Sequence, residues 1–204
     1  MKTIIYLIRH SEPFKNRTYL KSKDSLQLQN EKNPLTYNGE LKAKKLSKLK
    51  ELKNIDKIFS SNYVRTISTA KYIAESNNKE VLIIDDLGER KIGITSWDEY
   101  PTDFEKHQFE DENYKIGNGE SQKETKERLF KVLMEIINEN KGKRIVIVCH
   151  STAMMYLFSS WCEVKYSGDY SFKEKVFFDG KWDYLETFKL IFEDYNLNEI
   201  KKIE

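Results

Sequence analysis

The run Ile145-Val146-Ile147-Val148-Cys149-His150 decides the fold. Consecutive apolar residues, most of them β-branched, suit a strand covered on both faces, as in a parallel sheet flanked by helices. Ile4-Ile5-Tyr6-Leu7-Ile8 is built the same way and runs into Arg9-His10. Val81-Leu82-Ile83-Ile84 is a third such run, and Lys57-Ile58-Phe59-Ser60 a weaker one. Helical patterns lie between them. Thr36 or Asn38 can cap a helix carrying Leu41, Leu46, Leu49 and Leu52, and Tyr63 to Ser76 places Ile67, Ala70 and Ile73 on one side. Ser121 followed by Glu124 has the form of a capping box, opening a helix with Leu129, Val132, Leu133, Ile136 and Ile137 inward; Met154 to Trp161 predicts a fourth helix. Strand and helix in alternation predict an α/β fold, a three-layer α/β/α sandwich on a mostly parallel central sheet. Phe188 to Phe192 and Ile200 to Ile203, separated by Asn196, predict a terminal hairpin forming an antiparallel edge.

The 204 residues carry 35 Lys and Arg against 33 Asp and Glu, a net charge of +2, which argues against a dedicated nucleic-acid binder. An aromatic content of 13% is not that of a disordered chain. Length predicts one domain over 1–204, and the aperiodic polar stretch around 94–120 is an inserted, lid-like segment in it. A second polar stretch, Ser11 to Asn33, also lacks periodicity. Cys149 and Cys162 make neither a four-ligand zinc site nor a C-x-x-C pair and read as buried small apolar residues. The apolar stretch before Arg9 is too short for a signal-peptide core, and no run approaches the ~18 residues of a membrane span. These features predict a cytoplasmic protein with no membrane or nucleic-acid partner, and a homodimer is compatible with them.

Two of the three histidines, His10 and His150, directly follow apolar strands although they lie 140 positions apart. Ligands of parallel sheets bind at the C-terminal strand ends. Either histidine alone reads as a strand-end residue making one hydrogen bond; the two together, with Arg9, read as a site. A Cys149–His150 nucleophile and base pair is excluded, because neighbouring strand residues point to opposite faces.

Six motifs then fall in one order. Leu7-Ile8-Arg9-His10-Ser11-Glu12 resembles the L-x-R-H-G-E signature of the histidine phosphatase superfamily, the phosphoglycerate-mutase-like enzymes. That family's asparagine falls on Asn16, and its leucine-threonine-x-x-glycine turn on Leu35 to Gly39. Ser60-Ser61 with Arg65 and Thr69-Ala70, Leu87 to Gly93 with Glu89, Gly119-Glu120-Ser121 with Glu124 and Arg128, and the strand ending at His150-Ser151 match its remaining elements. The resemblance implies that His10 is the nucleophile, attacking phosphorus to form a phosphohistidine. Neutral imidazole, with an unperturbed pKa of about 6.5, suits that task. It implies that Arg9, Arg65 and His150 surround the phosphoryl oxygens as cations, because the charged planar fork of arginine matches phosphate geometry. Asn16 would add a hydrogen bond and Ser151, opening the next helix, oriented backbone N–H groups. Glu89 resembles the proton donor to the leaving oxygen, the alternative being an ion pair with Arg90 or Lys91. Without a carboxylate cluster the implied chemistry needs no metal and no cofactor.

The chain departs from the family where Ser11 and Ser151 replace glycines, and where Ile94-Thr95-Ser96-Trp97-Asp98 stands for W-E-G. Trp97 to Glu120 is acidic and aromatic, opposed by Lys106 and Lys115. Over a pocket, it would repel small multiply anionic substrates; otherwise it is a solvated lid, with His107 an exposed loop residue. Lys15, Arg17, Lys21 and Lys23 have the opposite sign and would attract an anion. The expected activity is phosphomonoesterase on a small phosphate ester. The alternatives are 2,3-bisphosphoglycerate-dependent phosphoglycerate mutase, or a phospho-ligand-binding domain without catalysis.

Overall fold

Successive side chains of β1 (Lys2–Arg9) and β4 (Arg144–Cys149) point to opposite faces, and both faces are covered. Ile5, Leu7, Ile145, Ile147 and Cys149 enter one core with α5 (Gln122–Glu139) and α6 (Ser151–Phe158). Tyr6, Ile8, Val146 and Val148 enter a second core with Ile58, Ala70 and Ile73, the latter two from α3 (Val64–Asn77). This is why the two strands are apolar at nearly every position. The computed structural model describes residues 1–14 and 23–203. β2 (Lys57–Ser60) and β3 (Val81–Ile83) continue the parallel part, and β8 (Thr187–Glu193) with β9 (Asn196–Ile203) forms the antiparallel edge, giving the order β3-β2-β4-β1-β8-β9. The fold is the α/β/α arrangement that the sequence predicts.

Several local expectations need correction. The 81–84 run is an edge strand and is not buried on both faces; Ile83 is 53% exposed. The helix after Thr36, α2 (Tyr37–Leu46), stops before Leu49 and Leu52, although Leu52 is still fully buried from the 3-10 turn Lys50–Leu52. The Ser47 hydroxyl donates to the Lys44 carbonyl and Lys53 Nζ to the Ser47 carbonyl, so the carbonyls at this end find partners without further helical turns. Thr36 is the cap, accepting from the Gly39 N–H at 2.9 Å. α6 begins three residues before Met154, with His150 as its N-cap. The two polar stretches hold the short helices α1 (Leu26–Lys32) and α4 (Phe104–Glu110), each only about two turns long and so without readable periodicity.

The second, three-stranded sheet has no counterpart among the sequence expectations. β5 (Glu163–Val164), β6 (Tyr170–Phe172) and β7 (Lys175–Phe178) are short strands held by an aromatic cluster. Phe178, Trp182 and Phe188 meet edge-to-face with centroids 5.0 to 5.5 Å apart. The capping box forms as expected, with Ser121 Oγ accepting from the Glu124 N–H and Glu124 Oε2 from the Ser121 N–H. Cys149 and Cys162 are buried, unpaired thiols.

Candidate active site

The parallel register that sets Arg9 opposite Cys149 also sets His10 beside His150, one residue past each strand. The His10 N–H donates to the Cys149 carbonyl at 3.0 Å, and the two imidazole centroids are 5.3 Å apart. Both rings are almost wholly buried. His10 Nδ1 lies 2.7 Å from the Ser11 carbonyl, which can only accept, so Nδ1 carries the proton and Nε2 keeps its lone pair. Arg65 Nη2 stands 3.2 Å from His150 Nδ1. Guanidinium can only donate, so here Nδ1 is the acceptor and His150 Nε2–H donates to Ser61 Oγ at 2.8 Å. The two imidazoles thus hold opposite tautomers.

Burial first, and the Arg65 charge second, push both histidines well below the ordinary histidine pKa. Of the three expected cations, Arg9, Arg65 and His150, two are therefore guanidiniums and the third is a neutral imidazole in this structure. Stability follows in sign: below about pH 6.5 unfolded histidine takes up a proton that the folded rings refuse, so the fold loses stability as pH falls. Thermal melts at pH 7.5 and pH 5 should show a drop, and His150→Gln should make that drop smaller.

Arg65 stands on the first turn of α3, 5% exposed. Its Nη1 donates to the Asn30 carbonyl of α1, and its guanidinium lies 4.6 Å over the Tyr63 ring, which itself meets His150 at 4.5 Å. Arg9 lies 4.8 Å over the ring of Tyr184, and that ring is 6.1 Å from His10. Its Nε is buried without a hydrogen-bond partner among the described residues. Sequence reasoning missed Tyr184, Tyr63 and Ser61 as members of the site. Ser61 and Tyr63 fall inside the Ser60–Arg65 motif and could have been found there, whereas Tyr184 sits in an irregular segment with no signature. Tyr184→Ala should lower kcat/KM about tenfold by loosening Arg9, with Tyr184→Phe near wild type, since the ring–cation contact is worth roughly 0.5–2 kcal/mol.

Glu89 Oε1 accepts from the Ala153 N–H at 2.8 Å and the Arg90 N–H at 2.9 Å, and Oε2 from the Thr152 N–H at 3.4 Å. At Thr152 and Ala153 the N–H groups of the helix opening at Ser151 are thus engaged by the Glu89 carboxyl group. Arg128 fixes the preceding turn, donating to the Asp86 and Gly88 carbonyls and pairing with Glu120 at 2.7 Å. This part of the matched motifs is structural.

The serine at position 11 has an occupation of its own. Its hydroxyl donates to the Gly39 carbonyl at 2.7 Å and its N–H to Thr69 Oγ1 at 2.9 Å. Neither Ser11 nor Ser151 has a positive φ, so neither position needs glycine's freedom. Gly39 does need to be glycine, because a Cβ there would stand 2.2 Å from the Glu12 carbonyl oxygen. Asn16 lies outside the described residues, as do Lys15, Arg17 and Lys21.

The 94–120 segment is anchored through buried Phe104, Gln108 and Gly119, while about half of its residues stay exposed. Buried Arg90 donates to Gln108 Oε1 at 2.7 Å, pairs with Glu105 at 3.2 Å and stacks on Phe104. Gln108, fully buried, also accepts from the Tyr156 hydroxyl and donates to the Tyr114 and Glu120 carbonyls. Glu105, Glu112 and Glu120 are paired with Arg90, Lys126 and Arg128, which neutralises part of the segment's negative charge. His107, half-buried on α4, packs edge-on against Tyr114. Gln108→Leu strands these partners and should cost about 2–3 kcal/mol. A thermal melt would show this as a fall of roughly 5–10 °C.

The sequence model of the histidine phosphatase superfamily (branch 1) matches residues 5–174. Phosphoserine phosphatase 1 of Hydrogenobacter thermophilus is 29% identical over 145 residues, 68% of this chain and 69% of that protein. A probable phosphoglycerate mutase of Escherichia fergusonii is 29% identical over 168 residues, 76% and 73% of the two chains. Among solved structures, a mycobacterial glucosyl-3-phosphoglycerate phosphatase superposes with a TM-score of 0.72 at 16% identity, covering 99% of this chain and 97% of its own. Phosphoserine phosphatase from Entamoeba histolytica, in complex with 3-phosphoglyceric acid, gives 0.69 at 19%, covering 99% and 98%. The structural likenesses speak to the fold, and the family match, running over most of the sequence, speaks to descent: the chain belongs to the histidine phosphatase superfamily, branch 1, and is an enzyme of the phosphatase class.

Proposed function

We propose that this phosphatase is a metal-independent phosphomonoesterase whose nucleophile is His10. His10 Nε2 attacks phosphorus, the bond from phosphorus to the alcohol oxygen breaks, and Glu89, as the acid, gives that oxygen its proton. Water then attacks the phosphohistidine while the Glu89 carboxylate takes up its proton, so that the bond from phosphorus to His10 Nε2 breaks, both residues return to their starting forms and inorganic phosphate leaves. Arg9 and Arg65, with Asn16, hold the phosphoryl oxygens and stabilise the charge spread over them in the transition state. His150 completes this shell; an arriving dianion raises its pKa and favours its imidazolium.

The observation that carries the reading is the tautomer of His10: a buried, neutral ring whose Nδ1 is committed to Ser11, leaving the Nε2 lone pair beside two guanidiniums. We read the substrate as a small phosphorylated molecule met in the cytoplasm, by a chain working as one domain, monomeric or homodimeric, with neither nucleic acid nor membrane as partner. The 94–120 segment then forms part of the wall near Glu89. Among the described residues no helix is long and apolar enough to cross a membrane. The test is release of phosphate from p-nitrophenyl phosphate with and without EDTA, with labelled ester in a rapid quench to trap phosphoenzyme. Equal rates and trapped label support the reading. Loss of activity in EDTA overturns the metal-free part, and conversion of 3-phosphoglycerate to 2-phosphoglycerate that requires 2,3-bisphosphoglycerate overturns the hydrolase.

A further inference from the structure

A cavity of about 340 Å³ opens between α1 and the segment 91–97. Ligand pockets of small molecules begin at about this volume. α1 is tied to the paired histidines at two points: the Asn30 carbonyl receives Arg65, and Gln27 Nε2 donates to the Tyr63 hydroxyl at 2.7 Å. A narrower cleft containing Glu89 shares Gln27 and Lys91 with the cavity, so the two lie on either side of those side chains. The cavity is thus joined to the paired histidines through Gln27 and the Tyr63 ring.

Its walls state a chemistry. Leu26, Ile92, Ile94 and Trp97 supply apolar surface, while Gln27, Asn30 and Asn118 bring amides. Lys91 is the one ionisable side chain among the described residues that line it. Against these described walls a second carboxylate or phosphate would lose water with Lys91 as its compensating charge. A ring would find a broad apolar face and polar groups for its edge. The wall is also stiff. Gly93 holds a φ of +86°, and a Cβ on it would stand 2.1 Å from the Ile116 carbonyl oxygen, so 93 is locked against 116–119. The Trp97 ring leans on Tyr100 at 6.2 Å. This is the stretch where the sequence departs from the W-E-G pattern.

We propose that this cavity receives the alcohol part of the ester, and that the preferred alcohol is ring-bearing and uncharged, with Trp97 as the residue that sets the preference. The inference rests on the phosphomonoesterase reading for its reaction, but its binding can be measured separately. Kinetics on wild type and Trp97→Ala would compare 4-methylumbelliferyl phosphate with glycerol 3-phosphate, 3-phosphoglycerate and phosphoserine. Comparing each ester between the two enzymes cancels leaving-group reactivity. Wild type should favour the ring ester over 3-phosphoglycerate at least tenfold in kcat/KM. Trp97→Ala should raise KM for the ring ester about tenfold at unchanged kcat, and leave glycerol 3-phosphate within twofold, which also reports that the variant is folded. Trp97→Phe should recover most of the loss.

A preference for 3-phosphoglycerate or phosphoserine, or one common effect of Trp97→Ala on every ester, overturns the proposal. The same ring ester, titrated calorimetrically onto His10→Ala, should bind about tenfold more tightly than onto His10→Ala/Trp97→Ala. If that difference is found while no ester releases phosphate, the catalytic reading falls and the pocket assignment stands; equal affinities overturn the pocket assignment.

Discussion

His10→Ala is expected to lose at least about 10⁴-fold in kcat, and to lose the trapped phosphoenzyme with it. Both effects follow from one atom, because Nε2 is the lone pair that the Ser11 contact leaves available. The melting temperature should stay near that of wild type, since β1 and β4 remain paired through their backbones and the neighbouring core is untouched. A variant that folds normally, retains more than a hundredth of the activity and still traps label would put the nucleophile on another residue. A variant that hydrolyses ester without label would make His10 a binding group.

Arg65→Ala should cost on the order of 10³-fold in kcat, the scale seen when a preorganised electrostatic group is removed from a transition state. The residue does more than present charge to the oxygens. It fixes His150 through Nδ1 and joins that ring to the α1 backbone at Asn30. Arg65→Lys should restore little, because one ammonium cannot reproduce a planar fork that reaches two partners at once. The pH profile separates the two roles. Arg65 is the second cause, after burial, of the low pKa of His10, which must be neutral to attack, so its removal should move the acidic limb of kcat/KM to higher pH. A loss of rate with an unmoved limb would leave Arg65 as a phosphate ligand alone.

The central sheet was legible because β1 and β4 are covered on both sides and so are apolar throughout, a pattern that few other environments produce. The pairing of His10 with His150 was legible because both end such strands. β3 was misjudged because apolar residues at a sheet edge read the same as apolar residues at its centre. The small second sheet was missed because strands of two to four residues, stabilised by Tyr170, Phe178 and Trp182 from scattered positions, leave no alternation to detect. Tyr184 was missed because nothing local marks a residue whose importance comes from touching Arg9. Ser11 was readable as a departure, but its hydroxyl bond to Gly39 becomes visible only in three dimensions.

The neighbouring imidazoles come from the first and third quarters of the polypeptide, joined by a register that closes only when β4 docks on β1. Closing so long a loop is entropically costly and late. A nascent chain that has not yet emerged past residue 150 carries the entire amino-terminal signature and remains inert. In a refolding time course, ester cleavage should therefore reappear with the final cooperative phase and never with earlier helix formation.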